Sequence, residues 1–292
     1  MDRLKILLTR LPDYIKEQLL ALPEDIRSSL EEIRIKVNQP VFIIAGGSEI
    51  SVPVEKMITA DTLEIILNNI MNYSIYAYEE ELAKGYITIE GGHRVGICGR
   101  VVNSKKDITL IKEISSINIR RSREIKGCAD SVINQIYDTG IHNTVIVSPP
   151  KCGKTTLLRD IVRIISNKGF RVGVIDERSE IAGMFRGQSA YDIGPRTDVL
   201  DGCPKAEGML MMIRSMSPDV VVTDEIGKSE DIDAIDSALC SGVKVITTIH
   251  GNTYADLIRS KLGPLVENKI FSRVIFLTNR PVTGSVSEGR YV

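Results

Sequence analysis

The sequence predicts an α/β fold, a mostly parallel sheet between helices, preceded by a smaller α+β domain. Three observations carry this. From residue 123 onward, helical and extended patterns alternate, the order of a parallel sheet wrapped by helices. Two of the extended runs, Val145-Ile146-Val147 and Val220-Val221-Val222, are unbroken and apolar, as strands buried on both faces are. Before residue 123 the pattern is that of hairpins, with polar and apolar residues alternating between turn signals.

Taken in order, Ile33, Ile35 and Val37 alternate with polar neighbours, Asn38-Gln39-Pro40 makes a turn, and 41–44 runs back, which predicts two antiparallel strands. Asp61, followed three residues later by Glu64, opens the periodic run Leu63, Ile66, Leu67 and Ile70 and predicts a capped helix. A second helix over 78–84 ends at Gly85, strands 86–90 and 93–102 flank Gly91-Gly92, and 108–120 is β-rich. The charge-rich stretch RRSREIKG at 120–127 marks a boundary and divides the chain into domains 1–122 and 123–292. Beyond it come helix 129–137, strand 144–147, helix 155–166, strand 171–175, helix 205–215, strand 219–223, helix 230–239 and strand 243–248.

At 292 residues there is room for two such domains. Lysine and arginine number 37 against 38 aspartates and glutamates, and a net charge of -1 gives no global attraction to nucleic acid or anionic membrane. The cysteines lie far apart with no Cys-x-x-Cys pair, which is neither a zinc pattern nor a disulfide framework and suits a reducing cytosol. Apolar runs such as 41–45 fall far short of the roughly 20 residues of a membrane-spanning helix. Lys5 and Arg10 bound the apolar residues 6–8 too closely for a signal-peptide core of about 7 to 15 residues. The protein is expected to remain in the cytoplasm, with no transmembrane segment of its own.

The chemistry concentrates first at Ser148-Pro149-Pro150-Lys151-Cys152-Gly153-Lys154-Thr155, which fits G-x-x-x-x-G-K-[ST] except for serine at the first glycine. A buried strand delivers the turn, Gly153 lets backbone approach phosphate, and the following helix aims its free N–H groups at the anion. On this reading 148–156, through Thr156, cradles the phosphates of ATP, Lys154 reaches the β and γ phosphates, and Thr155 holds Mg²⁺. Pro149-Pro150 pushes the preceding serine toward an extended backbone, so the loop enters its curve without a glycine. Cys152 reads as a small packing residue.

Three strand ends would supply the companions, because ligands of parallel sheets gather at the carboxyl ends of strands. DVVVTDE at 219–225 ends in Asp224, suited to the Mg²⁺ shell, and Glu225, placed to polarise an attacking water. Asp176-Glu177 follows another strand, and His250, after TTI, would hydrogen-bond the γ-phosphate or the water. Each taken singly also fits a plain structural role: an acidic turn after a strand, or a satisfied histidine. Arginines that could steady transition-state charge are Arg178, Arg196 and Arg214 in the second part and Arg94, Arg120, Arg121 and Arg123 in or just after the first.

The order of P-loop, acidic strand end, DVVVTDE and TTIH resembles the secretion ATPases of type II and type IV pilus systems. The longer motifs DERSEIAG at 176–183, RTDVLDGCPKAEGM at 196–209, RSMSPDVVVTDEIG at 214–227, GGHRVGICG at 91–99 and ISSINIR at 114–120 resemble the stage III sporulation protein AA family, over nearly the whole chain. The resemblance implies a RecA-like P-loop NTPase core in a homo-hexameric ATPase using ATP and Mg²⁺. It would sit at the mother-cell side of the engulfing membrane and drive or gate a secretion-like channel built with other sporulation proteins. It also implies that arginines of the N-terminal domain reach a neighbour's nucleotide site, with Arg94, Arg100 and Arg120 the candidates by position. The secretion ATPases end the strand corresponding to DVVVTDE in Gly-Glu, whereas this chain has Asp224-Glu225, so both Glu225 and Glu177 stand as candidates for the catalytic base. The competing readings are a single-strand nucleic-acid-binding ATPase, for which no appended module or basic balance is present, and a P-loop kinase for a small substrate.

Overall fold

Every second residue of the early strands is apolar, and it is this face that a core can cover. In the computed structural model, which describes residues 3–72, 78–83, 85–103, 109–280 and 283–291, the chain forms two units, Met1–Arg123 with Gly183–Ala190, and Glu124–Ala182 with Tyr191–Val292. Lys84 and Ile108, which bounded two expected elements, lie outside the described residues.

The first unit begins with helices α1 (Arg3–Leu8), α2 (Asp13–Leu20) and α3 (Glu24–Ser29), followed by strands β1 (Leu30–Lys36), β2 (Val41–Ala45) and β3 (Ser48–Val52). Then come α4 (Ala60–Ile70), α5 (Glu79–Ala83), β4 (Tyr86–Ile89), β5 (His93–Asn103) and β6 (Thr109–Arg120). The sheet order is β3-β2-β1-β6-β5-β4, antiparallel throughout. Ile33, Ile35, Ile43, Val95 and Ile119 fill one face together with Leu63 and Ile66 of α4. The three opening helices were not foreseen, because each is too short to show a helical period, yet Leu7, Ile15 and Leu19 are fully buried in this core. Asn38 carries the β1–β2 turn at φ 57°, a left-handed conformation that asparagine tolerates. Ile89 pairs with His93, so the β4–β5 connection is the three residues 90–92, in which Gly91 and Gly92 both take the positive φ that glycine adopts without strain.

The capping pair of α4 is not the one expected. Thr59, in extended conformation, accepts a hydrogen bond from Thr62 N (3.2 Å), and Thr62 Oγ1 accepts one from Thr59 N (3.4 Å). The helix therefore starts ahead of Asp61, which falls in its first turn and acts only through its charge.

The second unit runs α6 (Ile133–Ile136), β7 (Thr144–Ser148), α7 (Lys154–Asn167) and β8 (Val172–Asp176). The hairpin β9 (Met184–Phe185) and β10 (Gln188–Ser189) that follows belongs to the first unit, where Phe185 packs on the core. The second unit resumes with β11 (Thr197–Asp201), α8 (Lys205–Met216), β12 (Val220–Thr223), α9 (Ser229–Cys240) and β13 (Lys244–His250). It closes with α10 (Tyr254–Arg259), α11 (Gly263–Glu267), β14 (Arg273–Thr278) and β15 (Ser285–Tyr291). Its sheet order is β11-β8-β12-β13-β7-β14-β15, parallel as far as β14, with β15 antiparallel. The architecture is thus α/β with mixed strand directions.

Two departures have local causes. The expected helix 129–137 is helical only over Ile133–Ile136, because Asp130 N and Val132 N close short turns onto Gly127 O and Ala129 O, while Asp160 takes the Ala129 amide at 2.9 Å. Strand β11 escaped notice because it is an edge strand in which the exposed Asp198 and Asp201 flank only Val199 and Leu200, without the apolar run of a doubly buried strand.

The cap assignment predicts that Thr59→Ala destabilises the first unit by about 1 kcal/mol, whereas Glu64→Ala stays within about 0.5 kcal/mol. Denaturant midpoints of the two variants check it.

Candidate functional site

Strands β8, β12, β13 and β7 lie side by side and parallel, so their carboxyl ends come out at one edge. In register, His250 pairs with Ser148 and Thr223 with Ile175. The residues that follow, Glu177 and Asp224-Glu225, are thereby brought to the phosphate loop. They surround a cleft of about 570 Å³, lined among others by Lys154, Thr155, Glu177, Asp224, Glu225 and His250. Pro150 and Lys151 line it too, while Cys152 is buried beneath. A larger hollow of about 630 Å³, on the first unit's sheet near Arg34, Phe42 and Asn118, has neither a phosphate loop nor acidic strand ends.

The loop makes its curve late. Ser148 is the fully buried last residue of β7, and Pro149 follows it; the left-handed residues are Lys151 (φ 61°) and Gly153 (φ 79°). A glycine at position 148 is therefore unnecessary, since the strand simply continues there. Gly153 is the N-cap of α7, and no side chain caps the helix, which leaves the first amides, those of Lys154, Thr155 and Thr156 among them, for an anion. Thr156 itself turns its carbonyl toward Cys128 Sγ at 3.6 Å.

Two cation–carboxylate groups occupy the cleft. In the first, Lys154 Nζ lies 2.7 Å from His250 Nδ1 and 3.4 Å from Ser148 O, and His250 Nε2 lies 2.9 Å from Glu225 Oε2. An ammonium can only donate, so Nδ1 accepts, and the ring carries its proton on Nε2 and donates it to Glu225. Burial holds the Lys154 ammonium below its ordinary pKa, although Glu225 pulls the other way.

In the second group, Lys205 Nζ binds Glu177 Oε2 and lies 3.1 Å from Asp224 Oδ1. Burial pushes the Asp224 carboxyl up to about 6, against the pull of Lys205. Glu177 is the more exposed of the two; burial would raise it, but the hydrogen bond and charge of Lys205 outweigh that and leave it below the usual carboxylate range. Asp176, in contrast, is wholly buried and accepts the amides of Glu180, Ile181 and Ala182 (2.8–3.0 Å), so it shapes the turn rather than facing the cleft. Arg159 fixes the same turn, donating to Glu180 O and Ile181 O (both 2.7 Å) while it stacks on Tyr191 at 3.4 Å.

Lys205 and Arg159 escaped the sequence reading. A signal for Lys205 was present: it is the first residue of α8, after Pro204, and a cation at a helix N-terminus is opposed by the dipole unless carboxylates face it. Arg94 and Arg120 belong to the first unit, where they are paired across β5 and β6; Arg94 stacks on Tyr86 at 3.6 Å and Arg120 lies 3.7 Å from Glu32.

The donor set suits Mg²⁺. Asp224 Oδ1 is covered and, apart from the Lys205 ion pair, has no hydrogen-bond partner among the described residues, and Thr155 lines the same cleft. Among the described residues no three of His, Cys, Asp and Glu converge to hold a metal unaided. Hard oxygens few in number fit an ion that brings phosphate and water ligands with it.

The family model described as "Sporulation stage III, protein AA" matches residues 4–291. The chain belongs to the stage III sporulation protein AA family. Stage III sporulation protein AA of Bacillus subtilis (strain 168) is 44% identical over 284 residues, 95% of this chain and 92% of that one. Among solved structures, the Legionella pneumophila ATPase DotB is similar with a TM-score of 0.60 at 18% identity, over 92% of this chain and 77% of that chain. The pilus retraction motor PilT, solved with bound ADP, gives a TM-score of 0.60 at 17% identity, over 88% and 77% of the two chains. These structures share the family's fold. No helix among the described residues is long and apolar enough to cross a membrane.

The raised Asp224 carboxyl has a definite sign in stability. Between pH 3.8, its ordinary value, and about 6, the folded chain keeps a proton there that the unfolded chain has released, so this group subtracts stability as pH rises through that window. Replacing Asp224 with Asn should therefore stabilise the protein at pH 7 relative to pH 4, compared with the parent, by at most about 3 kcal/mol. Denaturation at several pH values reads this directly.

Proposed function

We propose that this chain is a P-loop ATPase with a RecA-like core, binding ATP with Mg²⁺ and hydrolysing it to ADP and phosphate. The observation that carries the reading is the convergence of Lys154, Asp224, Glu225, Glu177 and His250 on the cleft at the end of four parallel strands. The uncapped amides at the start of α7 bind the phosphates, and Lys154 exchanges its contact with His250 for a phosphate oxygen. Asp224 and Thr155 are the residues that would hold the metal, which neutralises charge on the phosphates when bound. Glu225 orients the attacking water and accepts its proton; His250, hydrogen-bonded to both Lys154 and Glu225, links the phosphate sensor to the base. Glu177, ion-paired with Lys205, faces the same space and is the second candidate for the base should Glu225→Gln retain turnover.

In the cell this activity would drive or gate a secretion-like channel during endospore formation. The protein would work as a homo-oligomer, most simply a hexamer, at the mother-cell side of the membrane and with other sporulation proteins. Family membership and a fold shared with DotB and PilT support this reading. Arg94, Arg100 and Arg120 are the residues that would serve a neighbouring subunit's phosphates. A finger supplied in trans contributes about 10³ to 10⁵ in rate in other P-loop enzymes, so turnover should rise with self-association.

Fluorescent-nucleotide titration and phosphate release test the site together. Lys154→Ala should lose nucleotide binding, and Glu225→Gln should bind as the parent does while turnover drops by about 10² to 10⁴. Parent-like hydrolysis by the glutamine variant would remove Glu225 from the role of base. Sedimentation with and without ATP and Mg²⁺ should show association accompanied by higher turnover; a monomer at every concentration with no turnover would contradict the motor.

A further inference from the structure

Lys205 is out of place by local rules. It opens α8, where the helix dipole disfavours a cation, and its side chain is only 9% exposed. A covered ammonium is tolerated only where carboxylates face it. Here two do, one after each of the neighbouring strands β8 and β12: Glu177 and Asp224.

We propose that Lys205 is a positioning residue that acts as the resident counter-cation of the site, holding Glu177 and Asp224 together and keeping a divalent cation off them until a nucleotide supplies the missing ligands. The inference rests on the phosphate-site reading above and adds to it an order of binding, with the metal entering together with the nucleotide. Glu180, Glu225 and Asp231 line the same cleft, and its other cations are Lys151, Lys154, Arg178 and Lys228. Removing Lys205 therefore leaves Glu177 and Asp224 side by side without the charge they share, a carboxylate pair that can take a divalent ion.

The geometry makes Lys205 hard to replace. Its helix is seated tightly on β8: a Cβ built on Gly208 would lie 2.6 Å from Ile175 Cγ2, and Met209 and Met212 are buried. The base of the lysine is therefore fixed while its ammonium spans both carboxylates. Lys228, the other lysine near Glu177, is exposed and 4.0 Å from Oε1, too distant for a hydrogen bond. The ammonium takes the covered Oδ1 of Asp224, which has no other partner among the described residues. A metal and Lys205 thus draw on the same carboxylate, and only a metal already carrying phosphate oxygens has the additional ligands to share it.

The test uses the full chain and Mn²⁺ as the probe, followed by electron paramagnetic resonance, first with no nucleotide and then with ADP. The parent should bind Mn²⁺ poorly alone and well with ADP. Lys205→Met should bind Mn²⁺ without nucleotide about tenfold more tightly, or better, because an adjacent positive charge is gone. Lys205→Arg should restore the parent's behaviour, a rescue that a purely structural role would not give. Lys205→Gln, which keeps a donor without the charge, should match Lys205→Met and serves if the latter folds poorly. If Mn²⁺ affinity without nucleotide is the same in the parent and both neutral variants, while ADP binds normally, the inference is overturned and the phosphate site stands. If the parent fails to bind ADP at all, the phosphate site itself is wrong and the inference goes with it.

Discussion

Because β8, β12, β13 and β7 pair in parallel, their carboxyl ends must emerge at one edge of the sheet, and the in-register pairing of His250 with Ser148 fixes which groups meet there. Everything chemical in the molecule depends on that constraint. Four stretches of sequence separated by tens of residues become one cleft, with the phosphate loop on one side and acidic residues on the other. The strands are buried on both faces, so a slip in register would unseat their valines and isoleucines from close packing on either side. The hydrophobic core thus enforces the geometry of the polar site without contributing to its chemistry.

Within the cleft the charges are arranged as two linked groups rather than as a pool. Lys154, His250 and Glu225 form one chain, and Lys205 ties Glu177 to Asp224 in the other. In the first group the lysine can move away, since its contacts are with a histidine ring and a backbone carbonyl that an anion can replace. In the second the lysine is covered and its helix is seated on the sheet, which favours retention. Asp176 and Arg159 stand behind both, holding the turn after β8 in a single shape through backbone hydrogen bonds.

The parts of this arrangement that were legible in the sequence share one property: they sit next to strands buried on both faces. The runs before Ser148 and Asp224 were apolar without interruption, so both strand and site could be read. Strand β11 lies at the sheet edge and keeps charged residues, and β15 is antiparallel and rich in polar residues, so neither showed that pattern. The hairpin β9–β10 interrupts the second unit while packing with the first, a long-range choice that local periodicity does not encode. Lys205 was hidden for a different reason. The conflict between its charge and its place at the head of a helix expected from 205 was visible, but the carboxylates that answer that charge, Glu177 and Asp224, are brought to it only by the pairing of β8 with β12. The serine at the head of the phosphate loop, in turn, is explained by where the left-handed residues fall, at Lys151 and Gly153.

The central claim is that the edge formed by these strands binds nucleotide phosphate by drawing Lys154 away from His250. A crystal structure of the protein with a non-hydrolysable ATP analogue and Mg²⁺ tests it most directly. The account predicts the phosphates against the backbone amides of Gly153, Lys154 and Thr155, with the Lys154 ammonium on a phosphate oxygen and no longer on His250. A nucleotide bound elsewhere, or phosphates in the cleft with the Lys154–His250 contact intact, would contradict it.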